Sequence, residues 1–223
     1  MTDAPLNIGV LGIDHRHIFG QLGSMEGVGG RGTKWWTDGE PSGTTFDFQE
    51  RFPDIKRVAS IQEVLDDESI TLVLIAAVPN QRAALAIAAM RAGKDVMVDK
   101  PGCTTLAQLD EIKQVVKETG RIWSIDFSER FEVEAVTKAA ELVAAGAIGR
   151  VLQTIGMGPH RLNLPTRPGW FFDPELYGGI LCDIASHQID QFLFFTGSTD
   201  AEVVASSYGN YANPKTPGLQ DFG

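Results

Sequence analysis

An α/β chain is predicted, with a doubly wound parallel sheet over residues 1–121 and a shorter α+β domain, incomplete in its sheet, over residues 122–223. Three observations predict it. Apolar runs of strand length alternate with helical segments through the first part, the β-α-β rhythm of a parallel sheet. Residues 71–77 (TLVLIAA) are apolar after the first position, as in a strand buried on both faces. After about residue 127 this rhythm gives way to a long helix and a loop rich in Pro, Arg and aromatic residues.

Taken in order, residues 7–11 (NIGVL) read as the first strand and residues 18–25 as the helix after it. Residues 33–37 are the second strand and residues 46–52 a helix. Ser60-Ile61-Gln62-Glu63 has capping-box spacing and is expected to open another helix. Beyond the strand at 71–77, residues 81–91 are Ala-rich and helical, and Gly93 stops them. Residues 95–98 form the next strand, 106–119 a helix ended by Gly120, and 122–126 a strand. In the second part, residues 133–145 are a helix ended by Gly146, and 151–157 a strand. The loop Pro159-His160-Arg161 through Trp170-Phe171-Phe172 follows. A helix with Asp183 and His187 and a strand at 201–208 complete the pattern.

The whole chain carries 19 basic and 29 acidic residues, a net charge of -10, which disfavours nucleic acid and anionic membrane as partners. No stretch has the length of a membrane span, and residues 1–5 lack the features of a signal peptide. Cys103 and Cys182 form neither a metal spacing nor a disulfide framework, so both are read as reduced thiols of a cytoplasmic protein. His15 and His17 suggest a metal, but no third ligand is apparent beside them, and none is expected.

A dinucleotide site belongs after the first strand, on G-x-G-x-x-G, with an acidic residue after the second strand. The loop here reads Gly12-Ile13-Asp14-His15-Arg16-His17: Gly12 serves as the first glycine, while Asp14 and His17 take the other two places. Asp14 is open to two readings, a helix N-cap or a lining residue of the pyrophosphate site with Arg16. Asp38 is placed to bond a ribose 2′-hydroxyl, which favours NAD over NADP.

Two further segments carry chemistry. Val96-Met97-Val98-Asp99-Lys100-Pro101 ends a strand on a lysine. Gly178-Gly179-Ile180-Leu181-Cys182-Asp183 leads to His187, and an i,i+4 spacing puts Asp183 and His187 on one helix face. Lys with a His–Asp pair suits moving a proton on and off a hydroxyl while a hydride leaves. Asp190 reads equally as a structural hydrogen bonder. His160, Arg161 and Trp170 lie on the loop after a strand and are candidate substrate contacts.

These segments, together with Ile8–Gly12, residues 92–101 and Gly146-Ala147-Ile148-Gly149-Arg150-Val151, resemble the glucose–fructose oxidoreductase / inositol dehydrogenase (Gfo/Idh/MocA) family. The resemblance implies a Rossmann domain, and then an α/β domain on a mostly antiparallel sheet. It implies oxidation or reduction of a secondary hydroxyl or keto group on a sugar, cyclitol or similar polyol, using NAD(P). Lys100 would touch the nicotinamide ribose and the substrate hydroxyl, His187 would be the acid/base, and Asp183 would orient it or the substrate. Gly12, Ile13, Asp14, His15, Arg16, Asp38, Ala77, Pro79 and Asp99 would line the cofactor site with Lys100.

The sequence departs from the family at Asp99, where Glu is usual, at the glycine loop, and in its shorter length. It is therefore expected to be a truncated form whose second domain lacks sheet strands; a longer product would be a homo-oligomer. The reading is an NAD-dependent oxidoreductase of a small sugar-like substrate. The alternatives are transient-NAD elimination or glycoside cleavage, and a binding or sensor protein with weakened cofactor affinity.

Overall fold

The computed structural model describes residues 6–39, 43–158 and 160–223. Residues 1–5, where no signal peptide is expected, and Pro159 of the Arg-rich loop lie outside them. The chain divides into two compact units, Met1–Asp126 and Phe127–Gly223.

The first unit runs β1 (Leu6–Leu11), α1 (Ile18–Gly27), β2 (Gly30–Trp36), α2 (Gly43–Arg51), β3 (Lys56–Arg57), α3 (Gln62–Leu65), β4 (Ile70–Ile75), α4 (Pro79–Arg91), β5 (Asp95–Asp99), α5 (Leu106–Thr119) and β6 (Trp123–Asp126). The strands form one sheet of order β3-β2-β1-β4-β5-β6, parallel throughout. This is the dinucleotide-binding order, whose direction of winding reverses between β1 and β4 and leaves a crevice at their carboxyl ends.

The continuous apolar runs do what the sequence implies. Val73 and Ile75 of β4 enter one core with Ala86, Met90, Ile112 and Val115 of the covering helices α4 and α5. Leu74, between them, enters the opposite core with Trp35, Leu22 and Phe48. Alternate side chains of one strand are buried on two faces, so both must be apolar.

The expected boundary at residue 121 is corrected. Trp123–Asp126 pairs with β5 from Val96↔Trp123 to Asp99↔Asp126, so the strand read at 122–126 belongs to the first sheet. The capping box expected at Ser60–Glu63 does not form: Ile61 is the N-cap of the single-turn α3 and has no side-chain cap. Instead the Glu63 side chain accepts from the Ala59 amide at 2.9 Å. The reciprocal box occurs at α5, where Thr105 and Gln108 cap each other's amides and Gly120 closes the helix at φ 66°.

The second unit contains α6 (Ser128–Phe131), α7 (Glu134–Ala144), α8 (Pro174–Tyr177) and α9 (Ser186–Thr196), the last entered through a π-helical turn, Leu181–Ala185. Its small core includes Phe171, Tyr177 and Leu219; the Phe171 and Tyr177 rings stack with centroids 5.3 Å apart. The strands expected at 151–157 and 201–208 are not formed. Each strand's backbone groups are satisfied by a neighbour's, and neither segment has a ladder partner among the described residues. Leu152, Ile155, Met157, Val203 and Val204 are consequently exposed. Among the described residues, no helix is long and apolar enough to cross a membrane.

Gly12 leaves no room for a side chain. It sits at φ +75°, and an added Cβ would lie 2.4 Å from Ala77 Cβ and 2.6 Å from Ala77 Cα. Gly12→Ala is expected to destabilise the chain by about 2 kcal/mol or more, combining left-handed strain with overpacking against backbone. Urea denaturation followed by far-UV circular dichroism measures this; a loss below about 0.5 kcal/mol would show that the β1 and β4 ends separate easily.

Candidate active site

In the first unit the site is built on the carboxyl ends of β1 and β5. Gly12 donates its amide to the Trp36 carbonyl at 2.7 Å, and the His15 amide reaches the Ala76 carbonyl at 2.9 Å. The loop after β1 is thus tied to the ends of β2 and β4. α1 begins only at Ile18, with His17 as its N-cap, so the helix-cap reading of Asp14 is not fulfilled.

Asp99, at the end of β5, is fully buried. His15 Nδ1 lies 2.7 Å from its Oδ2 and His17 Nδ1 2.9 Å from its Oδ1, and the Arg82 guanidinium contacts Oδ2 at 2.9 Å. Burial alone would push the Asp99 carboxyl up. The Arg82 charge, His15 and the imidazole hydrogen bonds outweigh it and hold the group well below its ordinary value. Burial pushes His15 down to about 4, although Asp99 draws it the other way. At neutral pH Asp99 is therefore ionised and His15 neutral, and His15 must carry its proton on Nδ1 to donate to the carboxylate.

Arg82 does more than pair with Asp99. Its Nε donates to the Ala77 carbonyl at 2.7 Å. One terminal nitrogen donates to the carbonyls of Asp99, Lys100 and Pro101 at 2.9, 2.6 and 3.2 Å. One guanidinium thus fixes the backbone on both sides of Lys100, itself only 3% exposed, across a cis Lys100–Pro101 bond.

The remaining expected cofactor residues divide. Ile13 and Ala77 are buried, and Pro79 is the first residue of α4. Asp38 is exposed just beyond β2 and accepts from the Gln81 amide at 3.4 Å. Arg16 pairs with Asp47 of α2 and stacks over Phe19, so its charge is engaged by the protein.

Asp14 is raised above its ordinary value by burial and by the charge of Asp38, and its Oδ2 is buried with no hydrogen-bond partner among the described residues. A dinucleotide therefore fits this crevice at the Gly12 turn and at Asp38. At the second glycine position it would meet a carboxylate in place of bare backbone.

In the second unit, Asp183 lies in the π-helical turn and His187 in the first turn of α9; both are buried. The widened turn replaces the regular α spacing from which a shared face was expected, and such turns recur at functional sites. The Phe127 ring stands edge-on to His187 at 6.0 Å. Arg167 lies within electrostatic reach of Asp183: burial lowers Arg167 from its ordinary value, and Asp183 opposes the shift. Tyr177 is raised by burial, with a further push from Asp183. Asp190 is structural, held by two bonds from Arg130 at 2.5 and 3.0 Å.

His160 and Arg161 line a cavity of about 810 Å³ with Arg167, Phe171, Ile184 and Gln188. Trp170, Asp183 and His187 are not among its lining residues, so the structure does not gather all the expected substrate contacts in one pocket. Three residues were missed as members of these arrangements: Arg82, His17 as a partner of Asp99, and Arg167. Arg82 had one faint signal, a charge inside an Ala-rich helix; Arg167 had its place in a basic, aromatic loop. The residue that joins His15 and His17 is Asp99, 84 and 82 positions away in the sequence.

Comparison with known proteins agrees with this architecture. Residues 39–127 match the oxidoreductase family with an NAD-binding Rossmann fold, and residues 136–222 match the GFO/IDH/MocA C-terminal domain. The chain belongs to the Gfo/Idh/MocA oxidoreductase family.

It is 30% identical over 155 residues to 1,5-anhydro-D-fructose reductase of Ensifer adhaerens, a match covering 69% of this chain and 46% of that protein. It is 26% identical over 172 residues to scyllo-inositol 2-dehydrogenase (NADP(+)) of Bacillus subtilis, covering 77% and 47%. A solved chain from Erwinia carotovora atroseptica superposes with a TM-score of 0.93 at 41% identity, covering 97% of this chain and 64% of that one. The chain thus spans less than half the length of these curated relatives.

Arg82→Leu is expected to destabilise the first unit by about 3–5 kcal/mol, because it leaves the Asp99 carboxylate buried without its counter-charge. Thermal and urea unfolding measure the loss. A change under about 1 kcal/mol would show that the two imidazoles suffice to hold the carboxylate.

Proposed function

We propose that the chain is the cofactor-binding and catalytic portion of an NAD-dependent oxidoreductase that interconverts a secondary hydroxyl and a keto group on a sugar, cyclitol or related polyol. The observation that carries this reading is Lys100, buried at the carboxyl end of β5 with its backbone clamped by Arg82. That is the edge of a doubly wound sheet where ligands bind. Family membership and sugar- and cyclitol-acting relatives support it.

When bound, the nicotinamide supplies the hydride acceptor. Lys100 stabilises negative charge developing on the substrate oxygen. His187 in its neutral form accepts the hydroxyl proton, and returns it in the reductive direction. Asp183 orients that imidazole or the substrate. Gly12 permits the tight turn, and Asp38 receives the ribose hydroxyl.

Asp14 favours a second reading, in which the chain binds a sugar-like ligand but holds dinucleotide weakly. An ionised Asp14 repels a pyrophosphate that glycine would admit. Transient use of NAD for elimination or glycoside cleavage would employ the same residues without net cofactor turnover.

Lys100→Ala and His187→Ala are each expected to lower turnover at least about a hundredfold, the scale of a positioned acid/base or charge-stabilising group. Steady-state kinetics on a panel of polyols and keto sugars is the measurement. Near-parent activity in either folded variant removes that residue from the mechanism.

Cofactor choice follows from Asp38. Lys34, the nearby cation on β2, is already engaged by Asp67 at 2.8 Å and by the Glu63 carbonyl at 3.0 Å, leaving a carboxylate to meet the 2′ position. Calorimetric titration should show tighter binding of NAD than of NADP. Tighter NADP would overturn the placement of Asp38, and no binding of either would favour the second reading.

A further inference from the structure

We propose that His15, His17 and Asp99 form a binding site for a borderline divalent transition metal, of which zinc is the representative. The proposal is independent of the hydride-transfer reading. Each of the three residues offers a ligand atom, and these atoms all lie within 4.8 Å of one another. A tetrahedral ion with bonds of about 2.0–2.1 Å spans ligands about 3.3–3.4 Å apart, a small expansion of the 2.9 Å between His17 Nδ1 and Asp99 Oδ1; His15 Nδ1 lies 2.7 Å from the other carboxylate oxygen.

The donor set decides the class of ion. Two imidazoles and one carboxylate suit zinc, cobalt, nickel or iron, whereas magnesium and calcium prefer all-oxygen sites. Location adds a route of entry. Asp99 is sealed in the protein, but the His15 and His17 side chains remain 19% and 33% exposed. They stand at the crevice end of the sheet, where a water ligand has access.

Arg82 is the main objection, since a guanidinium beside a ligand carboxylate opposes a cation. It contacts Oδ2, which His15 also meets, whereas His17 meets Oδ1; the ion takes Oδ1 and leaves Oδ2 to Arg82. With Asp99 neutralised by Arg82, a bound ion keeps its full double charge. That calls for an anionic fourth ligand, hydroxide or a substrate oxyanion. Binding shifts the His15 proton from Nδ1, where it meets Asp99, to Nε2, which frees Nδ1 to ligate with no net loss of a proton from the ring.

The chain has four histidines, so the assignment can be tested residue by residue. The intact chain is stripped with a chelator, dialysed and titrated with Zn²⁺ by calorimetry. Co²⁺ is then added to record the visible bands of a low-coordinate site.

One ion per chain is expected, with a Kd of about 1 μM or lower. His15→Gln and His17→Gln should each weaken binding at least about tenfold, and His160→Gln should leave it unchanged. Circular dichroism checks each fold, and the more exposed His17 keeps the test open if the His15 variant does not fold. Absence of stoichiometric binding to the folded chain, retention of tight binding in folded His17→Gln, or equal loss in His160→Gln each overturns the site.

Discussion

The first unit depends on one buried charge. Removing a carboxylate from water costs several kcal/mol, and the protein must return that through geometry. Asp99 obtains it from a guanidinium and two imidazoles, contributed by α4 and by the loop after β1. These partners come from different elements, so the same contacts that solvate the charge also fix three chain segments against one another. Arg82 extends the arrangement to the carbonyls of residues 77 and 99–101. Lys100 inherits its position from this arrangement: its neighbour is anchored, and its own carbonyl is held.

That constraint accounts for the unusual glycine loop. A G-x-G-x-x-G turn leaves its backbone bare so that phosphate can approach. Here only Gly12 keeps that character, because the Ala77 backbone leaves no room for a side chain. His15 and His17 are turned toward Asp99, and Asp14 sits near Asp38. The loop therefore spends side chains on internal electrostatics where the usual turn spends none.

The sheet was legible because its signals are local. A run such as residues 71–77 identifies a strand buried on both faces wherever it occurs, and Gly93 and Gly120 mark helix ends by their own backbone freedom. The Asp99 cluster was not legible, since it joins residues more than 80 positions apart and no local pattern ties an Arg in an Ala-rich helix to a strand end. The misplaced capping box shows the same limit. Ser60–Glu63 and Thr105–Gln108 have matching spacing, but only the second opens a helix long enough to need both caps. The strands expected at 151–157 and 201–208 had the right composition; pairing is a property of two segments, and the composition of one cannot supply it.

In the second unit, two carboxylates of one helical stretch show how environment separates roles that residue type does not. Asp190 is locked by Arg130, whose guanidinium also covers the rings of Phe131 at 4.0 Å and Phe194 at 4.9 Å. A charge so saturated by one rigid partner is a poor instrument for moving protons or ligands. Asp183 instead lies where the helix widens, felt electrostatically by Arg167 and Tyr177. Arg167 is itself shared among the Leu162 and Arg161 carbonyls, His160 and the face of Phe171. The Arg167 charge is thus divided among several groups, whereas Arg130 gives Asp190 two bonds from one guanidinium.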